Sequence, residues 1–289
     1  MSQNNVRHVP VLVIHGGAGS RIPEPDHATR LEYSLRNILD AVYPLLIGGA
    51  DAVEAAVQAV RLLESDPLYN AGRGSKIQED GVIRMSASVM SGWEQRFGGV
   101  ASVRGIKHPV SIAQQLLTER DRVLIGKHAA HFAKARNLDR ANPYTTKARE
   151  LHRARVAGKM GTVGAVALDT HGRLAAATST GGRGGETPGR MSDSVTVAAN
   201  YASLSAAVSA TGVGEHIVEH AVAPSIVIRV DDGMSVSEAM RRTLKTDVAC
   251  TNGDFGCIAL DCHGNFVGGT RTDFLIWGAA KGNGRQTNP

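Results

Sequence analysis

A glycine and a threonine, Gly161-Thr162, stand directly before a run of small and apolar residues that is typical of a strand. A threonine hydroxyl is a weak nucleophile unless a base lies beside it, and the residue's own free α-amine can supply that base. That amine has a pKa of about 7.7 to 8, so much of it is neutral near physiological pH. Thr162 would gain such an amine only if the chain were cut before it.

The residue before the threonine suits a cut of this kind. Glycine tolerates a strained backbone and lets the Thr162 hydroxyl approach the Gly161 carbonyl, which permits an N-to-O acyl shift followed by ester hydrolysis. The same step also has an ordinary interpretation, a turn followed by a β-branched residue that opens a strand, and Gly269-Thr270 is such a step. The residue pattern alone leaves both interpretations open.

Several elements must position this threonine. Residues 11–14 form a short apolar run that predicts a buried strand, and HGGAG after it predicts a glycine loop. Apolar residues recur at helical spacing over 31–42, and we expect Pro44 with Gly48-Gly49 to close that helix. A second helix is predicted after Asp51, a favourable N-cap residue.

Two segments of the chain resemble each other. GAVALDTHGRLAAATST from Gly164 aligns without gaps to GCIALDCHGNFVGGTRT from Gly256, and each predicts a hairpin whose turn is Asp-x-His-Gly. Two such hairpins fit packed sheets better than one parallel sheet. We therefore predict helices outside and two β-layers inside, in one domain (1–289) split by a flexible basic linker over 134–160.

The positive charge of the chain lies mostly in that linker. The 289 residues carry a formal net charge of +5, and the segment 134–159 alone carries +6, from eight basic and two acidic residues. The rest of the chain is thus at −1. Because the basic segment lacks interleaved aromatic residues, it predicts a solvated linker, and we expect no nucleic-acid partner.

Composition also bears on the compartment. No stretch approaches the roughly 18 apolar residues of a membrane span, and the first ten residues lack the layout of a signal peptide. Three cysteines, Cys250, Cys257 and Cys262, are an odd number near one end, which favours a reducing compartment over a disulfide framework. We expect a cytoplasmic protein with no membrane partner.

The segment GTVGAV, which begins at Gly161, resembles the autocleavage point of the plant-type L-asparaginase and isoaspartyl peptidase family of N-terminal nucleophile hydrolases. Four further segments match that family in order: VIHGGAG at 13–19, NAGRG at 70–74, PGRMSDS at 188–194 and TGVGE at 211–215. The resemblance covers nearly the whole chain. It implies an α+β fold, a four-layer αββα sandwich, and hydrolysis of β-aspartyl amides, with isoaspartyl dipeptides and L-asparagine as substrates.

The resemblance also implies roles for particular residues. Thr162 matches the nucleophile, and Thr180, by pattern an ordinary strand threonine, matches a second threonine that supports its amine. Arg190 matches the arginine that binds the substrate α-carboxylate and Asp193 the acid that receives its α-ammonium, although their spacing alone is typical of a surface ion pair. The remaining matches are the oxyanion hole of Thr211 and Gly212, a substrate contact at Gly214, and pocket support from Gly17 and Asn70.

Cofactors and assembly follow from the same resemblance. It implies no cofactor for catalysis, but a structural sodium ion held largely by backbone oxygens in the loop before the pocket, at Leu63, Glu64, Asp66, Tyr69, Ala71 and Arg73. It further implies cleavage into an α subunit, 1–161, and a β subunit, 162–289, with a homodimer of cleaved protomers as the assembly.

The chain departs from the family pattern at several positions. Ser86 stands where the family has aspartate. The chain therefore lacks a carboxylate at this position, and we expect its absence to slow maturation. The usual Gly-Asp-Ser-Pro is Ser192-Asp193-Ser194-Val195, and the usual Gly-Ala-Gly is Ala198-Ala199-Asn200. Val213 replaces the residue that the family usually has between the two oxyanion glycines. These changes add side chains near the expected pocket and leave the preferred leaving group open.

Other functions have sequence requirements of their own. A glycosylasparaginase would usually have aspartate before the threonine, an α/β-hydrolase esterase needs G-x-S-x-G, and a phosphate-binding loop needs G-x-x-x-x-G-K-[ST] or G-x-G-x-x-G after a strand. The chain has glycine at 161, where a glycosylasparaginase would have aspartate, and its sequence contains no G-x-S-x-G. The segment HGGAGSRIPEP at 15–25 matches neither phosphate-loop pattern. A binding protein that keeps the amino-acid clamp without self-cleavage stays open.

Overall fold

The computed structural model describes residues 8–19, 24–154, 161–245 and 253–288. The strands are β1 Val11–Gly19, β2 Met85–Ser91, β3 Arg96–Val103, β4 Val123–Ile125, β5 Val163–Leu168, β6 Leu174–Thr180, β7 Asn200–Ala202, β8 Ala206–Gly212, β9 Phe255–Asp261, β10 Phe266–Thr270, β11 Phe274–Lys281 and β12 Gly284–Asn288. The helices are α1 Pro25–Ile47, α2 Ala52–Ser65, α3 Pro109–Leu116, α4 Gly126–Ala135, α5 Thr146–Arg153, α6 Gly214–Glu219, α7 Val222–Asp231 and α8 Val236–Lys245.

The strands form two sheets. The larger sheet has the order β12-β11-β1-β5-β6-β2-β3-β4, and its neighbours are antiparallel except for β3 and β4. The smaller sheet has the order β10-β9-β8-β7 and is antiparallel throughout. In the larger sheet, β1 therefore lies between two strands that come from the second half of the chain.

The two predicted hairpins are present, one in each sheet: β5 with β6, and β9 with β10. Their turns are built alike. Asp169 Oδ1 accepts hydrogen bonds from the amides of residues 171 and 173, and Asp261 Oδ1 accepts them from residues 263 and 265. Gly172 and Gly264 have φ values of 78° and 77°, a left-handed conformation that glycine adopts without a steric penalty.

Three apolar cores separate four layers. One core lies between α1 to α4 and the larger sheet, with Leu35 and Leu63 among its buried residues. A second core, around Val208 and Ile226, lies between the smaller sheet and α6 to α8. The third core, which includes Val166 and Ile258, lies between the two sheets. This arrangement confirms the predicted α+β fold as a helix–sheet–sheet–helix sandwich.

The segment HGGAG and the end of helix α1 can be compared with their predictions. HGGAG is not a loop, because β1 continues to Gly19 and pairs with β11 across a bulge between His15 and Gly17. Helix α1 ends at Ile47 with Gly48 as its C-cap, which confirms the predicted end at Gly48-Gly49, and Pro44 lies inside its last turn. A proline in the last turn loses one backbone bond without breaking the helix beyond it, and the amide of Gly48 still bonds the Pro44 carbonyl at 2.9 Å.

The segment 134–160, predicted as a flexible linker, contains helix α5. Thr145 caps this helix, since its hydroxyl accepts a hydrogen bond from the Ala148 amide at 3.1 Å. Just before it, the Tyr144 hydroxyl accepts a bond from the Ile83 amide at 3.1 Å and so ties the segment to the body of the protein. Residues 155–160 of the linker lie outside the described residues.

Further predictions concern the second helix, the cysteines and the membrane. Asp51 does cap α2, with its Oδ1 accepting a bond from the Glu54 amide at 2.8 Å.

Cys257 and Cys262 are free thiols, and Cys250 lies outside the described residues. Within the described ranges, none of the helices combines the length and the apolar character needed to cross a membrane.

Candidate active site

Thr162 lies at the open end of the β5–β6 hairpin. The pairing of Val163 with Ser179 places Thr162 beside Thr180, the last residue of β6, and both threonines are 3% exposed. Both line a cavity of about 340 Å³ together with Gly161. The hairpin, which the sequence predicts from its turn residues, therefore delivers the nucleophile candidate and its supporting threonine to one cavity.

The backbone of Gly161 is packed closely on two sides. Gly17, in the bulge of β1, has a φ of +121°, and a Cβ there would lie 3.2 Å from the Gly161 nitrogen. A Cβ on Gly161 itself would lie 2.7 Å from Thr211 Oγ1 and 3.2 Å from the Gly212 nitrogen. The peptide bond before Thr162 is thus held between β1 and the end of β8, at a place where only glycine fits.

The predicted oxyanion residues lie beside that bond. Thr211 Oγ1 donates a hydrogen bond to the Thr162 carbonyl at 3.1 Å. Gly212 has a φ of +136°, and a Cβ there would collide with the Asp254 carbonyl. Glycine therefore allows the end of β8 to approach the loop before β9 closely. A hydroxyl and a backbone N–H set side by side can stabilise negative charge on an attacked carbonyl.

The candidate clamp occupies another wall of the cavity. Arg190 and Asp193 do not pair with each other on the surface. Instead, Arg190 donates two bonds to Glu215, Nε to Oε1 at 2.8 Å and Nη2 to Oε2 at 3.0 Å. A Cβ on Gly214 would lie 2.7 Å from the Arg190 guanidinium and would collide with Asp193 Oδ1. Both charged groups thus converge on Gly214.

Asp193 is 5% exposed and incompletely paired. Its Oδ1 accepts a hydrogen bond from the Ser192 hydroxyl at 3.0 Å, whereas its Oδ2 has no hydrogen-bond partner among the described residues. Burial raises the pKa of Asp193 to about 6, against the lowering effects of the Ser192 bond and of Arg190. An under-satisfied buried carboxylate that lines a cavity is a ready acceptor for an ammonium group.

The nucleophile candidate also contacts a serine that the sequence reasoning did not single out. Thr162 Oγ1 lies 3.2 Å from Ser194 Oγ, and the Ser194 and Ser192 hydroxyl oxygens are 3.3 Å apart. Ser194 is completely buried. Its sequence signal is its place at the end of the PGRMSDS segment, directly after Asp193.

Asn70 supports the wall behind Thr180. Its side-chain amide donates to the Gly182 carbonyl at 2.6 Å, and its Oδ1 accepts from the Lys76 amide at 3.2 Å. Lys76 and Arg183 add two cations to the lining of the cavity, which the sequence reasoning missed. Burial lowers the pKa of Lys76 to about 8, while Glu186 acts to raise it.

A buried polar cluster lies beneath the hairpin, between the sheets. His15 Nε2 and Ser209 Oγ are 2.8 Å apart, and Ser209 Oγ is 2.8 Å from Thr178 Oγ1. Burial lowers the pKa of His15 to about 3, so this imidazole is neutral at physiological pH. The cluster connects β1, β6 and β8 directly below the strand that Thr162 opens.

The positions that depart from the family pattern fall around the same cavity. Ser86, on β2, is the direct pairing partner of Thr180. The Asn200 amide donates to Ser88 Oγ at 2.9 Å, and Ser88 Oγ donates to the Ser194 carbonyl at 2.7 Å. Val213 lines the cavity itself. Of the substituted side chains, Ser192 and Val213 line the cavity, whereas Ser86 and Asn200 lie behind its lining.

The loop expected to hold sodium has close-packed carbonyls. A Cβ on Gly72 would collide with the Glu64 carbonyl, and one on Gly74 would collide with the Tyr69 carbonyl. The Glu64 side chain is used elsewhere, because its Oε1 accepts from Ser179 Oγ at 2.6 Å. Among the described residues, no cluster of three or more His, Cys, Asp or Glu could hold a metal. The sodium site at this loop stays a prediction.

The two stacked, largely antiparallel sheets lie between helical layers, and a threonine preceded by glycine opens β5 at the cavity. This combination is that of the N-terminal nucleophile hydrolases, a class of amidohydrolases. Residues 8–158 and 144–288 match the model of the family described as asparaginase, and the chain belongs to that family.

Relatives named for an enzymatic activity align with this chain over nearly its whole length and over nearly their own. An isoaspartyl peptidase/L-asparaginase of Nostoc sp. is 40% identical over 92% of this chain and 90% of its own. The isoaspartyl peptidase of Escherichia coli K12 is 37% identical, with 93% of each chain covered. An isoaspartyl peptidase/L-asparaginase of Bos taurus is 34% identical over 94% of this chain and 93% of its own.

Proposed function

We propose that this chain is an autoprocessed hydrolase of β-aspartyl amide bonds, which cleaves isoaspartyl dipeptides and L-asparagine and releases L-aspartate. The observation that carries the proposal is the packing of the Gly161–Thr162 bond, where Thr162 faces a cavity and Gly161 touches the oxyanion pair. The printed activities of the Nostoc, Escherichia coli and Bos taurus relatives support the substrate class.

Maturation begins with attack of Thr162 Oγ1 on the Gly161 carbonyl carbon. The C–N bond then breaks, the Thr162 nitrogen takes up a proton, and an ester links the two residues. Water hydrolyses that ester to leave a carboxylate on Gly161 and a free amine and hydroxyl on Thr162. The new amine, with Thr180 beside it, is the general base of the mature enzyme.

Turnover uses the same hydroxyl on an external amide. Thr162 Oγ1 attacks the β-carbonyl of the substrate, while Thr211 and the Gly212 amide stabilise the oxyanion. The leaving amine departs with a proton, and water then hydrolyses the aspartyl ester on Thr162. An arginine fork binds a carboxylate bidentately, so Arg190 holds the α-carboxylate, and Asp193 receives the α-ammonium.

Assembly, ions and compartment complete the proposal. We assign no cofactor to catalysis and a sodium ion to the carbonyl oxygens of the loop that includes Glu64 and Tyr69. Cut protomers, each with an α piece of 1–161 and a β piece of 162–289, form a homodimer. An odd number of cysteines near one end supports a cytoplasmic location.

The test is a mass spectrum combined with an activity assay. The purified chain is expected to yield pieces of 161 and 128 residues, the latter being 289 less 161. Thr162→Ala is expected to abolish both the cut and the release of aspartate from β-aspartyl dipeptides. Activity in that variant would refute the assignment, and an intact wild-type chain that binds aspartate without turnover would favour the clamp-bearing binding protein instead.

A further inference from the structure

In the uncut chain, Thr162 has no free amine, because its nitrogen is part of the peptide bond to Gly161. The first self-cleavage therefore needs a different proton acceptor from the one that serves turnover. Thr180 Oγ1 accepts a bond from the Gly182 amide at 3.2 Å, and a neutral hydroxyl is a poor base in any case. A carboxylate is the stronger candidate.

A continuous row of hydroxyl groups leads from Thr162 to such a carboxylate. Thr162 Oγ1 lies 3.2 Å from Ser194 Oγ, which lies 3.3 Å from Ser192 Oγ, which lies 3.0 Å from Asp193 Oδ1. Each hydroxyl has one proton and two lone pairs. The Ser192 hydroxyl is the donor in both of its contacts, to Asp193 Oδ1 at 3.0 Å and to Ser194 Oγ at 3.3 Å. Its one proton serves a single acceptor at a time, so when that proton lies on Asp193 the Ser192 lone pairs can accept from Ser194 once the Ser194 hydroxyl rotates toward them.

The row is held in place from outside. Ser88 donates to the Ser194 carbonyl at 2.7 Å, and the Asn200 amide donates to Ser88 at 2.9 Å. Ser194 is fully buried, and Ser192 and Asp193 are 6% and 5% exposed. Proton transfer along these fixed contacts needs only rotation of hydroxyl groups, because the heavy atoms are already in place.

We propose that Ser194 and Ser192 relay the Thr162 hydroxyl proton to Asp193 during self-cleavage. As the bond from Thr162 Oγ1 to the Gly161 carbon forms, the Thr162 O–H bond breaks and its proton passes to Ser194. The Ser194 proton passes to Ser192, and the Ser192 proton passes to Asp193. As the Gly161–Thr162 C–N bond breaks, a proton returns to the Thr162 nitrogen, so the acyl shift is balanced without any co-reactant.

This relay rests on the proposed function, and it gives Asp193 two successive tasks. Before the cut the carboxylate accepts a proton from the chain's own threonine, and after the cut it receives the substrate ammonium. The charged groups facing it are Arg190, which favours its ionised form, and Glu215, which opposes that form. Its raised pKa of about 6 suits an acceptor that works near neutral pH.

The experiment follows self-cleavage against pH. Full-length chain made by cell-free synthesis is shifted to buffers from pH 5 to 8.5, and the 161- and 128-residue pieces are quantified over time by mass spectrometry. We expect the wild-type rate to rise about tenfold per unit below pH 6 and to level off above it. Asp193→Asn, Ser194→Ala and Ser192→Ala should each slow cleavage at least tenfold and remove the inflection near pH 6.

Ser203→Ala is the matched control, because this serine also donates to a carboxylate, Asp231 Oδ1 at 2.8 Å, but contributes nothing to the cavity lining. It should cleave like the wild type. Should Ser194→Ala fail to fold by circular dichroism, the less buried Ser192→Ala decides. If Asp193→Asn or Ser192→Ala cleaved at the wild-type rate with an unchanged pH profile, the relay alone would be overturned. If the wild-type protein did not cleave at any pH, the proposed function would be overturned as well.

Discussion

Asp193 shows at the scale of one residue how function and stability oppose each other in this site. The carboxylate is buried, and only one of its oxygens has a hydrogen-bond partner among the described residues. A group whose pKa is raised by folding binds its proton more tightly in the native state than in the unfolded chain. Its ionised form therefore costs stability, which a catalytic or binding role can justify.

The first residue-scale prediction follows from that sign. As pH rises from about 4 through the folded pKa of about 6, Asp193 should lower the free energy of unfolding, by roughly 3 kcal/mol at 1.4 kcal/mol per pKa unit. In a Thr162→Ala background, Asp193→Asn should be more stable than its parent at pH 8 and nearly equal to it at about pH 3.5, below the unfolded pKa of the carboxyl group. Urea unfolding at the two pH values measures the gap, and an equal gap at both would contradict the prediction.

The second residue-scale prediction concerns Arg190. The role proposed for Arg190 is to bind the substrate and not the Gly161–Thr162 bond, so Arg190→Ala should raise KM for a β-aspartyl dipeptide by about 10- to 100-fold, as expected for lost charge-assisted hydrogen bonds. Self-cleavage at pH 8 should be spared. Steady-state kinetics on the cut enzyme provide the measurement.

Arg241→Ala is the control for Arg190, since it also removes a guanidinium from a glutamate, but from an exposed pair with Glu238 on helix α8. Its KM should match that of the wild type. If Arg190→Ala instead blocked self-cleavage as severely as turnover, the division between binding and maturation roles would be wrong.

At the scale of elements, the β5–β6 hairpin is the part that sequence reasoning could foresee. Its Asp-x-His-Gly turn and alternating apolar strands are local signals, so Thr162 and Thr180 could be placed together from their positions along the chain. The glycine segment HGGAG was misread, because a bulged strand and a loop both require glycine. The pairing of Arg190 with Glu215 could not be predicted, because the two residues are 25 positions apart. Glu215 comes close to Arg190 only because the chain turns after β8.

The hydroxyl row was beyond sequence reasoning for a similar reason. Serine is common in turns, and nothing in the PGRMSDS segment states which hydroxyl faces Thr162. Only the packing of β2 against the loop before β7, through Ser88 and Asn200, orients Ser194 toward the nucleophile. Residue types near a motif can thus be predicted, but their directions depend on tertiary contacts.

The element-scale prediction concerns Gly164 on β5. A Cβ there would lie 2.5 Å from His15 Nε2 and 2.9 Å from the Ser209 Cβ. Gly164→Ala should therefore destabilise the protein by about 1 to 3 kcal/mol through overpacking between the sheets. Gly284→Ala, where the nearest atom to a Cβ would be 3.4 Å away, should change stability little. Urea unfolding of both variants in the Thr162→Ala background checks this, and equal effects would contradict it.

At the scale of the whole molecule, the proposed cut leaves two pieces whose strands interleave. Residues 1–161 supply β1 to β4, and residues 162–289 supply β5 to β12. In the larger sheet, β1 pairs with β11 on one side and β5 on the other, and β2 pairs with β6. The pieces are therefore joined by three rows of backbone hydrogen bonds as well as by shared cores.

The whole-molecule prediction is that the cut pieces stay together. They should elute as one species in native size-exclusion chromatography and separate only in denaturant, because separation would expose strand edges and core residues to water. Denaturing electrophoresis of the same fractions identifies both pieces. Elution of a free piece under native conditions would contradict the interleaved sheet.

Because β1 lies between β11 and β5, the cut molecule refolds differently from the uncut chain. The uncut chain folds in a unimolecular reaction whose rate is independent of concentration. Two unfolded pieces must first collide, so their recovery becomes second order and slows with dilution. In a dilute setting, the lifetime of the mature enzyme is then set by how slowly it unfolds, since each unfolding event is effectively final.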